Sequence, residues 1–182
     1  MRRRTLIPLA LSCLALSACG GAGPYGHAHT YAPLGPEEAR LEAVTPISFE
    51  EVKRDPQGFA GQTLSFFGVV RHVSTDAESH QTTLRVDFRV LQPRNLCSDE
   101  RSNSCRVTVS ERSGGEFSAL VSLRPGDERG PNRLWIGSLV RIYGTPTGDL
   151  DEEGGPVMQV SYYRYWPRSQ YVTTAASGRM RR

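Results

Sequence analysis

The clearest pattern along the chain is the strict alternation from Thr82 to Val90. Leu84, Val86, Phe88 and Val90 fall on one face and Arg85, Asp87 and Arg89 on the other. A period of two over this length predicts a half-buried antiparallel strand. Gln62 to Val73 is a longer apolar run interrupted by Gly68, which predicts a bulged or strongly bent strand. The polar stretch Ser74–Gln81 between the two reads as a hairpin loop. Further strands are predicted at Arg106–Ser110, continuing past Ser113-Gly114-Gly115 into Glu116–Leu123, then at Leu134–Thr145 and at Val157–Trp166.

One short helix precedes them. Ser48-Phe49-Glu50-Glu51 has the form of a capping box, with Ser48 as N-cap and Glu51 at N3. Ile47 and Val52 occupy the two positions of a hydrophobic staple, and Asp55-Pro56 ends the helix. A short N-terminal helix and five or six curved antiparallel strands fit a small OB-like closed barrel over residues 46–167. Tightly coiled strands need glycines where they bend, and Gly68 and Gly144 stand at such places. A generic β-sandwich is the second choice.

The chain start has a different character. Arg2-Arg3-Arg4 precede an apolar run from Leu6 to Ala15, and Leu16-Ser17-Ala18-Cys19 closes it. Positive residues, a short apolar segment and a small-residue cleavage site make a secretory signal peptide over residues 1–18. Pro8 and the shortness of the run speak against a spanning helix, which needs about 20 apolar residues. The closing tetrapeptide resembles the lipobox of bacterial lipoproteins. That resemblance implies diacylglycerol on Cys19, cleavage before it and acylation of the new amino group, with the membrane as partner. Gly20 stands where many inner-membrane lipoproteins have aspartate, so the resemblance also implies the outer membrane.

Removing the signal changes the charge balance. The whole chain is formally +3, but residues 19–182 carry 19 basic and 19 acidic side chains. The apparent basicity belongs to the targeting segment and is no nucleic-acid footprint. The outward side chains of the second strand, Arg85, Asp87 and Arg89, are likewise of mixed sign, which argues against a nucleic-acid partner on that face.

Residues 19–45 are rich in glycine and proline, and no apolar periodicity appears before Leu41. They read as a lipidated flexible tether, with an end-to-end distance of roughly 28 Å for a coil of this length. Residues 168–182 are poor in apolar side chains and read as a loose tail.

Two cysteines remain for the folded part, Cys97 and Cys105, in an oxidising compartment. A disulfide closing the loop between them stabilises the fold by roughly 2.5 kcal/mol on the chain-entropy model. A metal site is the rival reading, and the wide spacing without a second Cys/His pair disfavours it.

No nucleophile–base motif stands out. His27 and His29 lie on the tether, and His72 and His80 flank a hairpin with Asp76 and Glu78 between them. The hairpin could juxtapose two histidines and a carboxylate, but an exposed polar hairpin is the simpler reading. Asp149, Asp151, Glu152 and Glu153 form an acidic loop without EF-hand spacing. No cofactor, metal site or enzymatic activity is therefore expected. The aromatic cluster is on the last strand, where Tyr162 and Trp166 share one face and Tyr163 and Tyr165 the other. One pair is core, and Tyr163 with Tyr165 is the candidate contact surface for a glycan or an envelope protein.

The run Phe49-x-x-Val52-x-x-Asp55-Pro56-x-x-Phe59-x-Gly61-x-x-Leu64-x-Phe66-x-Gly68-x-Val70 resembles the opening of the Slp outer-membrane lipoproteins. Gly115-Glu116-Phe117-Ser118-Ala119, Ile136-Gly137-x-Leu139-Val140-x-Ile142-x-Gly144 and Tyr163-x-Tyr165-Trp166-Pro167 resemble later motifs of that family. The likeness covers roughly residues 46–167. Phe67-Gly68 stands where the family has Gly-Gly, and the Cys97–Cys105 loop is outside its pattern, so the chain looks like a divergent relative. The resemblance implies an outer-membrane lipoprotein tied to stationary phase or starvation. The expected role is a non-enzymatic structural or partner-binding one in the envelope. The alternative is an OB-like receptor for a small envelope ligand such as a glycan fragment.

Overall fold

The structure, a computed structural model, describes Tyr25, residues 28–101 and residues 104–181. Cys19 and the signal segment lie outside the described residues, as does His27. Two short helices come first, α1 (Gly35–Leu41) and α2 (Phe49–Arg54). Eight strands follow: β1 (Leu64–Thr75), β2 (Thr82–Arg89), β3 (Leu96–Cys97), β4 (Cys105–Val109), β5 (Glu116–Val121), β6 (Leu139–Leu150), β7 (Pro156–Trp166) and β8 (Tyr171–Thr173).

Five strands close a barrel in the order β1–β2–β5–β7–β6. The expected mainly β, OB-like closed barrel is therefore present. Its neighbours are antiparallel except for β5 and β7, which run parallel. The expected capping box at the helix before the barrel also forms. The Ser48 amide donates to the Glu51 carboxylate at 3.1 Å, and the Glu51 amide donates to Ser48 Oγ at 3.3 Å. Val52 and Phe49 then enter the barrel core.

The two glycines act through close approach. A Cβ at Gly68 would meet the Asp87 carbonyl oxygen at 2.7 Å, and one at Gly144 would overlap the Gln159 carbonyl oxygen. The register of β6 against β7 shifts at Tyr143/Gly144, and that of β1 against β2 shifts between Val70 and His72 rather than at Gly68. The bulge of β1 thus lies three residues or fewer beyond the predicted place.

Beside the barrel lies a three-stranded sheet, β3–β4–β8. The expected continuation of Arg106–Ser110 into Glu116–Leu123 is not formed, because β4 and β5 belong to different sheets. Outward side chains of the barrel, Phe67, Val69, Leu139 and Trp166, pack with Val107 and Val109 of β4 in a second apolar core. Arg71 and the turn at Ser110 and Ser113 after β4 reverse half of the exposure predicted for β2. Asp87 and Arg89 are buried, Asp87 to 2% exposure, while Val90 is 54% exposed. The alternation along β2 is as read; the cover over its outer face is what alternation cannot reveal.

The two termini are also corrected. In its described part the expected tether is docked. Asn95 Nδ2 donates to the Ala28 carbonyl and Asn95 N to the His29 carbonyl, both at 2.8 Å. Arg164 donates to the Ala32 carbonyl at 2.9 Å, and Thr45 N to the Thr63 carbonyl at 2.9 Å. Glycine and proline content predicts irregular backbone, not mobility; Tyr31 and Glu37 supply side chains that bury. The expected loose tail forms β8, which pairs in parallel with β4. Beyond it, Arg181 exchanges two backbone hydrogen bonds with Cys97 at 2.7 and 2.8 Å.

Candidate functional site

The strap formed by residues 28–45 is bolted to the barrel by one carboxylate. Glu37 of α1 is fully buried. Its Oε2 accepts from Arg164 at 2.7 Å and from the Leu34 amide at 2.9 Å. Its Oε1 accepts from the Tyr31 hydroxyl and, at 3.2 Å, from the Tyr143 hydroxyl. Arg141 lies 3.8 Å away. Burial pushes the Tyr31 and Tyr143 hydroxyls well above their ordinary range, so both remain donors. The Tyr31 ring meets Phe67 edge-on at 5.3 Å. Trp166 Nε1 donates to the Tyr25 carbonyl at 2.6 Å.

Docking of the strap creates a cup at one end of the barrel, of about 250 Å³. Tyr25 and the strap residue Leu34 form one side, and Arg124, Asp127, Tyr162, Arg164 and Tyr165 line the rest. Asp127 gathers three donors: Tyr163 Oη at 2.5 Å, Arg124 Nε at 2.9 Å and Tyr165 Oη at 3.2 Å. The Arg124 guanidinium also lies over the Tyr163 ring at 4.3 Å, and Arg40 lies over the Tyr162 ring at 4.4 Å. Burial, with Asp127 beside them, pushes the Tyr163 and Tyr165 hydroxyls up to about 12. The cup therefore offers aromatic faces, two arginines and the phenolic oxygen of Tyr165, whose hydrogen is already given to Asp127. These groups suit recognition of a small polar ring, and no nucleophile–base pair is among them.

The candidate contact pair is corrected by this geometry. Tyr163 is only 4% exposed and faces the barrel core, because β7 turns Tyr163 and Tyr165 inward. Tyr165 is half-buried and reaches the cup, and Tyr162 supplies a further face there. Arg124, Asp127 and Tyr25 carry no sequence signal of a site, since they come from separate segments that only the closed barrel and the docked strap unite.

The other candidates are structural. Cys97 and Cys105 are bonded to each other across β3 and β4, directly opposite in register. His29 Nδ1 lies 3.6 Å from both sulfurs. Among the described residues this is the one group of three metal-ligand types, and its sulfurs are joined as a disulfide. His72 and His80 are exposed, and Asp76 between them accepts from Glu78 N at 3.1 Å and from Ser79 N at 2.7 Å. In the acidic loop, Asp151 accepts from Ser118 Oγ and Gly155 N, both at 2.7 Å, as a hairpin-shaping residue does.

The outer face of β2 and β5 is where OB barrels commonly take ligands. Here it is filled by protein. Arg85 pairs with Glu153 and Glu116, and Asp87 pairs with Arg71 and Arg89. Burial alone would raise the Asp87 carboxyl, but hydrogen bonds from Ser113, Arg71 and Arg89 together hold it below the ordinary carboxylate range. A carboxyl with a depressed folded-state pKa contributes stability above its unfolded pKa and loses it as the pH falls through the folded value. The melting temperature of the wild type is thus expected to fall more steeply than that of Asp87→Asn below about pH 4. Parallel acid profiles of the two would sink this assignment.

No protein-family model matches the chain, and no curated protein matches it either.

Proposed function

We propose that this chain is a lipid-anchored lipoprotein of the bacterial outer membrane, with a non-enzymatic structural or partner-binding role in the envelope. The observation that carries the reading is Leu16-Ser17-Ala18-Cys19 at the end of a short apolar run behind three arginines. The resemblance of residues 46–167 to the Slp lipoproteins points the same way. The occupied face of β2 and β5 supports a barrel that serves as a support rather than as a nucleic-acid receptor.

A second reading is favoured by the cup. Its volume of about 250 Å³ falls a little below the usual range for small-molecule sites. A single sugar ring fits that size, stacked on Tyr162 or Tyr165 with Arg124 at its hydroxyls. A glycan fragment of the envelope is then the ligand class.

Cys19→Ser is expected to abolish membrane retention. Each buried methylene of an acyl chain contributes about 0.8 kcal/mol, and one chain alone gives only reversible binding. Among the described residues no helix is long and apolar enough to cross a membrane. Fractionation with salt and carbonate washes should leave the wild type with outer membranes and the variant soluble or as precursor. A mature, unlipidated variant that still pellets after both washes would show that the lipid is not the attachment.

A further inference from the structure

The loop between β5 and β6 displays two large apolar side chains to solvent. Trp135 is 46% and Ile136 51% exposed. They do not hang on a loose tip. Leu134 before them is buried in the barrel core, and its amide donates to the Asp127 carbonyl at 2.8 Å. Trp135 N donates to Ser138 Oγ at 3.1 Å, Ser138 N donates back to the Trp135 carbonyl at 2.9 Å, and Gly137 N donates to the Val70 carbonyl at 2.8 Å. Gly137 has φ +88°, the left-handed conformation that turns the chain at the apex. The apex is therefore rigid, and both apolar groups are held outward. Beside it is an open hollow of about 350 Å³, in which Arg133 and Arg168 are the charged residues and no acid takes part. The Arg133 guanidinium lies 4.8 Å over the Trp135 ring.

The apex lies near the place where the chain enters the strap. Leu139, four residues after Trp135, pairs with Trp166, and Trp166 holds Tyr25. The apex and the start of the strap thus share one end of the barrel, opposite the β6–β7 hairpin. Cys19 stands six residues before Tyr25. Even a fully extended chain spans only about 20 Å over that distance. An anchored Cys19 therefore keeps this end of the barrel close to the bilayer, since the residues read as spacer are docked.

We propose that the Trp135–Ile136 apex enters the headgroup layer of an anionic phospholipid bilayer, with Arg133 and Arg168 on the lipid phosphates. This contact orients the barrel on the membrane. The proposal rests on the lipoprotein reading for its anchor. Tryptophan is suited to the interface because its ring is apolar and its N–H still finds a partner there. Arginine pairs bidentately with phosphate, and its charge complements an anionic surface. A weak contact of this kind becomes effective because the lipid supplies the main attachment.

The test uses residues 19–182 with the disulfide intact, so that Cys19 is the reactive thiol. It is coupled to a maleimide lipid in vesicles of phosphatidylcholine and phosphatidylglycerol with brominated acyl chains. Tryptophan emission should shift to the blue and be quenched. Trp135→Phe should remove that quenching, because Trp166 is buried. Replacing phosphatidylglycerol by phosphatidylcholine, or Arg133 and Arg168 by glutamine, should weaken it. Emission equal on brominated and ordinary vesicles would overturn the proposal. So would quenching that Trp135→Phe leaves unchanged. The coupling is chemical, so the outcome does not depend on acylation of Cys19 in the cell; fractionation of Cys19→Ser tests that separately.

Discussion

Glu37→Ala is expected to lower folding stability by about 3–5 kcal/mol, the usual consequence of removing one partner of a buried ion pair. The loss leaves Arg164 charged at a buried position and strips partners from two buried tyrosine hydroxyls. An uncompensated buried charge accounts for most of the effect, so the charge-free Glu37→Gln should also be strongly destabilised although it keeps the shape. Replacing Glu37 and Arg164 together by methionine should recover part of the loss, because only Arg141, which also donates to Ser65 Oγ at 3.1 Å, then lacks its carboxylate. Urea denaturation of the four proteins reads these differences directly. The strap should also become sensitive to proteases between residues 28 and 45 in Glu37→Ala before the barrel does. A change under about 1 kcal/mol, against the usual range for buried pairs, would mean that the strap is not docked in solution.

Trp166→Ala is the second large effect, at about 3–5 kcal/mol for truncating a fully buried tryptophan. Trp166 is the largest side chain of the second core, and it lies where the barrel, the β3–β4–β8 sheet and the strap meet. Its ring stacks near Phe67 at 6.2 Å and meets Tyr31 at 5.9 Å. Arg164 lies over it at 4.5 Å. Trp166→Phe separates the two roles. It retains much of the apolar contact and removes the hydrogen bond to the Tyr25 carbonyl, a loss of about 1 kcal/mol. Hydrogen exchange should then report opening at the Tyr25 end of the strap, with the barrel strands still protected. Equal stability of wild type and Trp166→Ala in chemical denaturation would exclude a second core.

The barrel was legible because its cause is local. Alternation in β2, the capping box at Ser48, and Gly68 and Gly144 at close strand approaches each follow from steric or periodic rules that operate within a few residues. The same holds for the Cys97–Cys105 pair, whose short loop brings its ends together. The candidate contact pair was half legible. Tyr163 and Tyr165 do share a face, as their spacing requires, but spacing cannot say whether that face is inside or outside the closed barrel.

What the tertiary structure alone decided lies between segments far apart in the chain. In the sequence Glu37 is one more charge in a segment that reads as tether, and only Tyr31, Tyr143 and Arg164 around it make it the bolt of the strap. Asp87 and Arg89 read as solvent-facing until Arg71 and the turn at Ser110 and Ser113 after β4 close over them. Arg124, Asp127 and Tyr25 form a cup only once the barrel has closed and the strap has docked. The sequence by itself determined the closed β architecture, its entry helix and the disulfide, because periodicity, capping and loop closure act over short distances. Which outer faces are covered, and where a site remains open, depended on long-range burial, which no local pattern encodes.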